Sequence, residues 1–360
     1  MKLATCALMG GNREAVSQEM LRSASTITDF FVLMNTGESA DKACEQACNE
    51  FPDAYVSIWS PQGQELCVSG RNQCLRDAQI LGADWALLLD TDERLHWRAE
   101  LNIRATLEST DADIVLVRDD KGNYRKTKFF RLPAKGQWQT EQTDPPGGGS
   151  HEYFKQDEGS IVKVLHGCWF TELERDEDEQ AKRMAAIEAN CRDQVRTNPK
   201  SARSWYYLGE ALGYNGKPDE ALFALFNCYG CSDWQSEQDW CLYLAANIRM
   251  NQGQFRAAIE YCRLGGLAQP SWPEFPWLAA VCAAKGGAFE QAVAFADEAE
   301  ALGPEQRANE CQRDFFVNRL AWFEGPAGVS RVAHANLGHV AAALAASERY
   351  DALKEQRSTL

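Results

Sequence analysis

The chain has 360 residues, 45% of them hydrophobic and 25% charged, and a formal net charge of -15. That length suits two domains, and that composition supports a full core. Residues 1–170 hold 25 acidic and 18 basic side chains (net -7) and the rest hold 27 and 19 (net -8), so neither half offers the basic surface that drives duplex binding.

The opening MKLATCALMGGNRE has too short an apolar run for a cleavable signal, and no stretch approaches the ~18 apolar residues of a membrane span. Thirteen cysteines lie scattered in core-like positions, which suits a reducing compartment and a cytoplasmic location. Cys228-x-x-Cys231 has no second pair nearby and reads as core packing rather than a metal or redox site.

In chain order, Leu3–Met9, Phe30–Asn35, Tyr55–Ser60, Trp85–Asp90 and Asp113–Arg118 read as short apolar strands. Between them, Cys44, Ala47, Cys48 and Phe51, then Cys74, Leu75, Ala78 and Leu81, recur with helical spacing. Strands alternating with helices predict βαβ units and a mostly parallel sheet, with ligands beyond the carboxyl ends of the strands.

After residue 170 the period changes. The acidic run Glu172–Gln180 opens a helical pattern through Val195, as a solvated first turn. Trp205-x-x-Leu208-Gly209 is followed by Gly216 and Ala221, Trp240-x-x-Tyr243 by Gly253, Phe255 and Ala258, and Trp277 by Gly287, Phe289 and Ala292. The Trp spacings of 35 and 37 and the Ala spacings of 37 and 34 resemble tetratricopeptide repeats, whose aromatics fill the space between helices. Three repeats are expected, closed by helices over 310–323 and 331–356.

The strongest chemical element is Trp85-Ala-Leu-Leu-Leu-Asp90-Thr91-Asp92-Glu93. Alternation at a strand end directs Asp90 and Asp92 to one side, where Mg²⁺ or Mn²⁺ takes one or two carboxylates plus diphosphate oxygens. The alternative is a helix start, with Asp at the cap and RLHWRAEL following. Gly11-Asn12-Arg13-Glu14 follows the first strand, where a nucleotide would sit. Asn35-Thr36-Gly37-Glu38-Ser39-Ala40-Asp41 follows the second, with a helix cap as its alternative. Ser69-Gly70-Arg71-Asn72 opens the next helix and lets Arg71 reach a phosphate or base edge, unless it is simply a surface arginine.

Asn12 with Glu14, NTGESAD, GRN and LDTDE, in that order, resemble family 2 glycosyltransferases of the GT-A fold over about residues 1–170. Asn35 replaces that family's usual first Asp in a loop one residue longer, and Gly70 its usual Ala. Lys128-Phe129-Phe130-Arg131, Trp138 and His151-Glu152 resemble the branch of lipopolysaccharide-core glucosyltransferases and peptide S-glycosyltransferases.

The resemblance implies an α/β, Rossmann-like GT-A domain with a mostly parallel sheet (1–170), a connecting helix (171–198), an all-α tetratricopeptide-like solenoid (199–300) and capping helices (301–360). It implies a metal-dependent hexosyltransferase, inverting, with a UDP-sugar such as UDP-glucose as donor. Asn12, Glu14, Asn35, Asp41, Arg71 and Asp90 would contact the donor. Asp90 and Asp92 would hold Mn²⁺ or Mg²⁺, with His151 or His166 as a third ligand or as structural histidines. Glu152 would be the general base, its alternative being a structural ion pair. Asp144–Ser150 would be a lid over the donor or a plain surface loop. The repeats would recruit a peptide, protein or glycan acceptor, or mediate homo-oligomerisation. Two rivals stand beside this reading: a transferase acting on modified DNA, disfavoured by the charge, and a non-catalytic repeat scaffold carrying a degenerate α/β half.

Overall fold

The structure, a computed structural model, describes residues 1–10, 14–37, 40–58, 66–140, 152–308, 313 and 315–359. The chain divides into two units, Met1–Asp176 and Glu177–Leu360.

In the first unit the elements run β1 (Leu3–Met9), α1 (Glu14–Ser25), β2 (Phe30–Asn35), α2 (Asp41–Glu50), β3 (Ala54–Ile58), α3 (Leu66–Ile80) and β4 (Trp85–Leu88). They continue with β5 (Glu93–Trp97), α4 (Ile103–Ser109), β6 (Ile114–Asp119), β7 (Arg125–Arg131), β8 (Gly136–Thr140), β9 (Glu152–Gln156) and β10 (Val162–Glu172). Eight strands form one sheet in the order β3-β2-β1-β4-β7-β6-β10-β5, and β8 and β9 pair as a separate hairpin. Strand periodicity divides the core. Leu3, Ala7, Phe31, Leu33, Trp85 and Leu87 face one side with Met20, Leu21, Ala43 and Ala47 of α1 and α2. Their neighbours Ala4, Cys6, Val32, Met34, Ala86 and Leu88 face the other, against Cys74, Leu75 and Ala78 of α3.

The expected mostly parallel, Rossmann-like GT-A sheet is corrected to a mixed one. β1–β2, β1–β4, β2–β3 and β6–β10 pair in parallel. β4–β7, β6–β7 and β5–β10 pair antiparallel. The difference comes from strands that carry little apolar patterning. Lys126 and Lys128 interrupt β7, and β5 directly follows an acidic turn, so neither shows an apolar run in sequence. The helix-start alternative for the Asp90–Glu93 stretch fails as well: β4 ends at Leu88, a turn closes with Glu93 N–H donating to the Asp90 carbonyl (2.9 Å), and Glu93–Trp97 is extended. α3 begins at Leu66, so Arg71 lies inside the helix rather than at its start.

The second unit is helical: α5 (Glu177–Thr197), α6 (Ala202–Tyr214), α7 (Pro218–Cys231), α8 (Gln235–Asn251), α9 (Phe255–Ala268), α10 (Glu274–Lys285), α11 (Phe289–Ala308), α12 (Arg319–Trp322), α13 (Glu324–Asn336) and α14 (Val340–Thr359). One turn recurs between paired helices. Gly216, Gly253, Gly287 and Gly338 all have φ between 71° and 78°. The residue after each returns its N–H to a carbonyl in the last helical turn: Lys217 to Leu212, Gln254 to Arg249, Ala288 to Ala283 and His339 to His334, at 2.9 Å each. This is the Schellman arrangement, whose left-handed residue carries no penalty as glycine. It defines four pairs, α6/α7, α8/α9, α10/α11 and α13/α14, where the sequence suggested three repeats and closing helices. Cys191 and Val195 of α5 pack on Leu208, Leu212, Ala221 and Ala224, so α5 covers the first pair.

Candidate functional site

Three sequence candidates, Arg71, Asp90 and Glu152, meet beyond the carboxyl end of β4. Arg71 donates to Asp90 (2.8 Å) and also pairs with Glu152, while its guanidinium lies 4.8 Å from the Trp138 ring centroid. Lys126 donates to Glu93 (3.0 Å) and Glu172 (2.7 Å) and stands 3.9 Å from Asp90. Lys128 pairs with Glu93, whose side chain is fully buried. Asp92 is bound by Arg175 at 2.6 Å.

The electrostatics follow from these pairs. Desolvation opposes ionisation of Asp90, but Arg71, Lys128 and Lys126 outweigh it and hold the carboxyl well below the usual range. Burial works against the charge on Lys126, yet Glu93, Asp90 and Glu172 raise its pKa. For Lys128 burial prevails and the pKa is lowered. The arrangement is a self-neutralising network in which Asp90, Asp92, Glu93, Glu152 and Glu172 each have a cationic partner.

Asp90 and Asp92 therefore serve different arginines, because the chain turns at Thr91 and strand alternation no longer applies. Glu152 is ion-paired with Arg71. Asn35 ends β2 and donates to Asp41 (2.6 Å), while its own oxygen accepts from Gly37 N–H (3.0 Å), which fits the local turn-and-cap reading. His166 is exposed in β10, away from any metal-binding cluster. Among the described residues no group of three or more His, Cys, Asp and Glu side chains is placed to hold a metal ion. Asn12, His151 and the loop 144–150 lie outside the described residues, as does the side chain of Glu14. Sequence reading named Lys128 and Trp138 only as motif members and missed Lys126, Glu172 and Arg175, whose partners lie tens of residues away.

A second cluster lies in the helical unit, on the first helices of successive pairs. Phe316 places its ring 4.9 Å from Trp234, 5.8 Å from Tyr206 and 5.9 Å from Trp240. Arg203 stacks over Trp234 at 5.5 Å and pairs with Glu237 at 2.9 Å. Asn318 donates its side-chain amide to the Tyr243 hydroxyl (3.0 Å) and its backbone N–H to Glu274 (3.1 Å). Arg313 pairs with Glu274 (3.2 Å), stacks 3.8 Å from Trp272 and donates to the Phe316 carbonyl. Phe316 has φ of 60°, a left-handed conformation that a bulky side chain rarely adopts.

No family model and no curated protein matches the sequence. Solved structures similar to the chain include MamA, at 12% identity and a TM-score of 0.40, covering 52% of this chain and 100% of that one. PcrH from Pseudomonas aeruginosa is similar at 20% identity and a TM-score of 0.30, covering 38% and 92%. A Podosopora anserina kinesin light chain with nearly identical TPR-like repeats is similar at 21% identity and a TM-score of 0.38, covering 51% and 91%. These are helical-repeat proteins, not glycosyltransferases. No family model bears out the expected membership of glycosyltransferase family 2, and that expectation is corrected, together with the hexosyltransferase activity and the UDP-sugar and metal-binding labels attached to it. At these TM-scores the similarities add nothing to the helix-pair geometry already described. No helix among the described residues is long and apolar enough to cross a membrane.

Proposed function

We propose that the chain is a non-catalytic interaction scaffold whose helical-repeat unit binds a protein partner. The observation that supports this reading is the fourfold recurrence of one glycine turn between paired helices, at Gly216, Gly253, Gly287 and Gly338. Stacked pairs bury their faces on one another and leave extended surfaces, built from successive helices, that suit a protein segment. The arginine pairing of Asp90, Asp92 and Glu152 agrees with a bracing role for these carboxylates in the first unit.

Affinity capture with the full chain tests the reading. The wild type and the triple variant Asp90→Asn, Asp92→Asn, Glu152→Gln are expected to retain the same partner in the same amount. A partner that leaves the triple variant while that variant stays folded would overturn it.

A further inference from the structure

α7 and α9 are the second helices of the first two pairs. The same glycine turn precedes each, at Gly216 and Gly253, so the two helices run in the same sense. They meet side by side where Phe226 places its ring 5.7 Å from that of Tyr261. Helical spacing turns Leu222, Leu225, Ala258 and Ile259 into the core. Four other large apolar side chains face water instead: Phe223 is 64% exposed, Phe226 40%, Leu264 53% and Leu267 82%.

The two ends of this face differ in shape. Beside the first half of α7, Val195, Trp205, Leu208, Leu212, Phe223 and Ala224 line a pocket of about 500 Å³. Close-packed interiors leave few voids larger than one water, so this hollow is a surface feature with room for side chains. Trp205 is fixed as its wall, because its indole N–H donates to the Pro199 carbonyl (2.8 Å) and its ring meets Phe223 edge-on at 5.9 Å. At the other end, along the last half of α9, Leu264 and Leu267 protrude. Charge is divided in the same way. Asp219 and Glu220 stand beside the pocket, and Arg263 stands beside the leucines. Asp219 lies 3.7 Å from Arg249, Glu220 pairs with Arg192 at 2.6 Å, and Arg263 pairs with Glu260 at 3.2 Å. These are surface pairs, which hold their members weakly.

A face with a hollow and acid at one end and a knob and a base at the other complements itself after a half turn. An axis through the Phe226–Tyr261 contact sets α7 of one copy antiparallel to α9 of the other. Leu264 and Leu267 then seat in the opposite pocket, and Asp219 meets Arg263, twice over. The area agrees with such a contact. The four exposed side chains leave on the order of 400–500 Å² of apolar surface in water. A standard interface buries about 800 Å² per partner, somewhat over half of it apolar, which is roughly the same 400–500 Å². We propose that the outer face of α7 and α9 is a two-fold interface whose occupant is a second copy of this chain.

Sedimentation velocity of the full chain, followed against concentration, tests this. The wild type is expected to pass from 40.2 kDa to twice that mass below about 100 μM. Leu267→Asp and Phe223→Glu, both at exposed positions outside the core, are expected to raise the dissociation constant at least about 100-fold, since each dimer carries the change twice. Val340→Asp, at an exposed apolar position of α14, is expected to leave it unchanged. Asp219→Arg sets like charges against each other across the axis and is expected to weaken the dimer at least about tenfold. Adding Arg263→Asp to that variant is expected to restore it. A wild type that stays at 40.2 kDa throughout overturns the proposal and leaves the face to a different occupant. So does a dimer that Leu267→Asp and Phe223→Glu leave intact, or one that the double exchange fails to restore. Partner capture by the helical unit is read separately, so a monomeric chain that still holds its partner loses the dimer and keeps the scaffold.

Discussion

Trp322 donates its indole N–H to the fully buried Glu274 at 2.8 Å, across 48 residues of sequence. The same carboxylate takes the Asn318 backbone N–H and Arg313. Glu274 thereby ties Arg313, Asn318 and Trp322 to α10. Removing one member of a buried charged pair leaves its partners unmatched, at a cost of about 3–5 kcal/mol. Glu274→Ala is expected to lose that much in urea unfolding of the helical unit, followed by tryptophan fluorescence. A loss below about 1 kcal/mol, the level of an exposed pair, would contradict the anchoring role.

Lys128 and Glu93 make the corresponding pair in the first unit, with side chains 4% and 0% exposed. Lys128→Met leaves Glu93 with Lys126 and the Asp90 N–H (2.8 Å), and the expected loss is again about 3–5 kcal/mol. Circular dichroism of the full chain during urea titration measures it. An unchanged unfolding midpoint would mean that Lys126 and the Asp90 N–H satisfy the carboxylate without Lys128.

The turn glycines carry a definite cost of substitution. At Gly253 φ is 73°, and Cβ would meet no atom within 4 Å, so backbone strain alone acts. Gly253→Ala is expected to destabilise the helical unit by about 1–2 kcal/mol. Gly230, whose Cβ would also meet no atom within 4 Å but which has no positive φ, sits inside α7. Gly230→Ala is expected to stabilise by about 0.5–1 kcal/mol. Thermal unfolding of the two variants side by side separates them, and equal shifts would remove the conformational argument.

Glu188 of α5 accepts hydrogen bonds from Lys217 (2.7 Å), Asn215 (2.8 Å) and Arg192 (2.9 Å), tying α5 to the first glycine turn. Lys217 contributes most, and the carboxyl pKa falls to about 2. A folded-state pKa below the unfolded value gives stability that is complete above the unfolded pKa of about 4.3 and is lost as pH falls through the folded one. Between pH 5 and pH 2 the wild type is expected to lose more stability than Glu188→Gln does. Urea midpoints across that window are the measurement, and parallel curves would show that Glu188 carries no such linkage.

The legible parts of the fold were those encoded locally. Met9 and Trp85 lie in short apolar runs, and β1, β2 and β4 stand where those runs stand. Gly216, Gly253 and Gly287 recur near a 34-residue spacing, and the helix pairs follow them. The fourth turn, at Gly338, lies 51 residues beyond Gly287, because the connection through Phe316 and α12 intervenes and breaks the period. β7 escaped notice because Lys126 and Lys128 are turned to buried carboxylates instead of solvent, and a lysine in sequence does not reveal a partner 33 to 46 residues away. For the candidate site, the family resemblance grouped Asp90, Arg71 and Glu152, and the structure brings these three together from after β4, from α3 and from β9. The same residue types suit a metal–diphosphate site and an ion-pair network, so residue type and spacing do not choose between them.

The central claim is that partner binding belongs to the helical unit. Cross-linking of the captured complex, with linked peptides identified by mass spectrometry, tests it most directly. The account predicts that links from the partner fall on residues 177–360 and persist in the triple variant Asp90→Asn, Asp92→Asn, Glu152→Gln. Links concentrated around Arg71, Lys126 and Lys128, and lost in that variant, would contradict it.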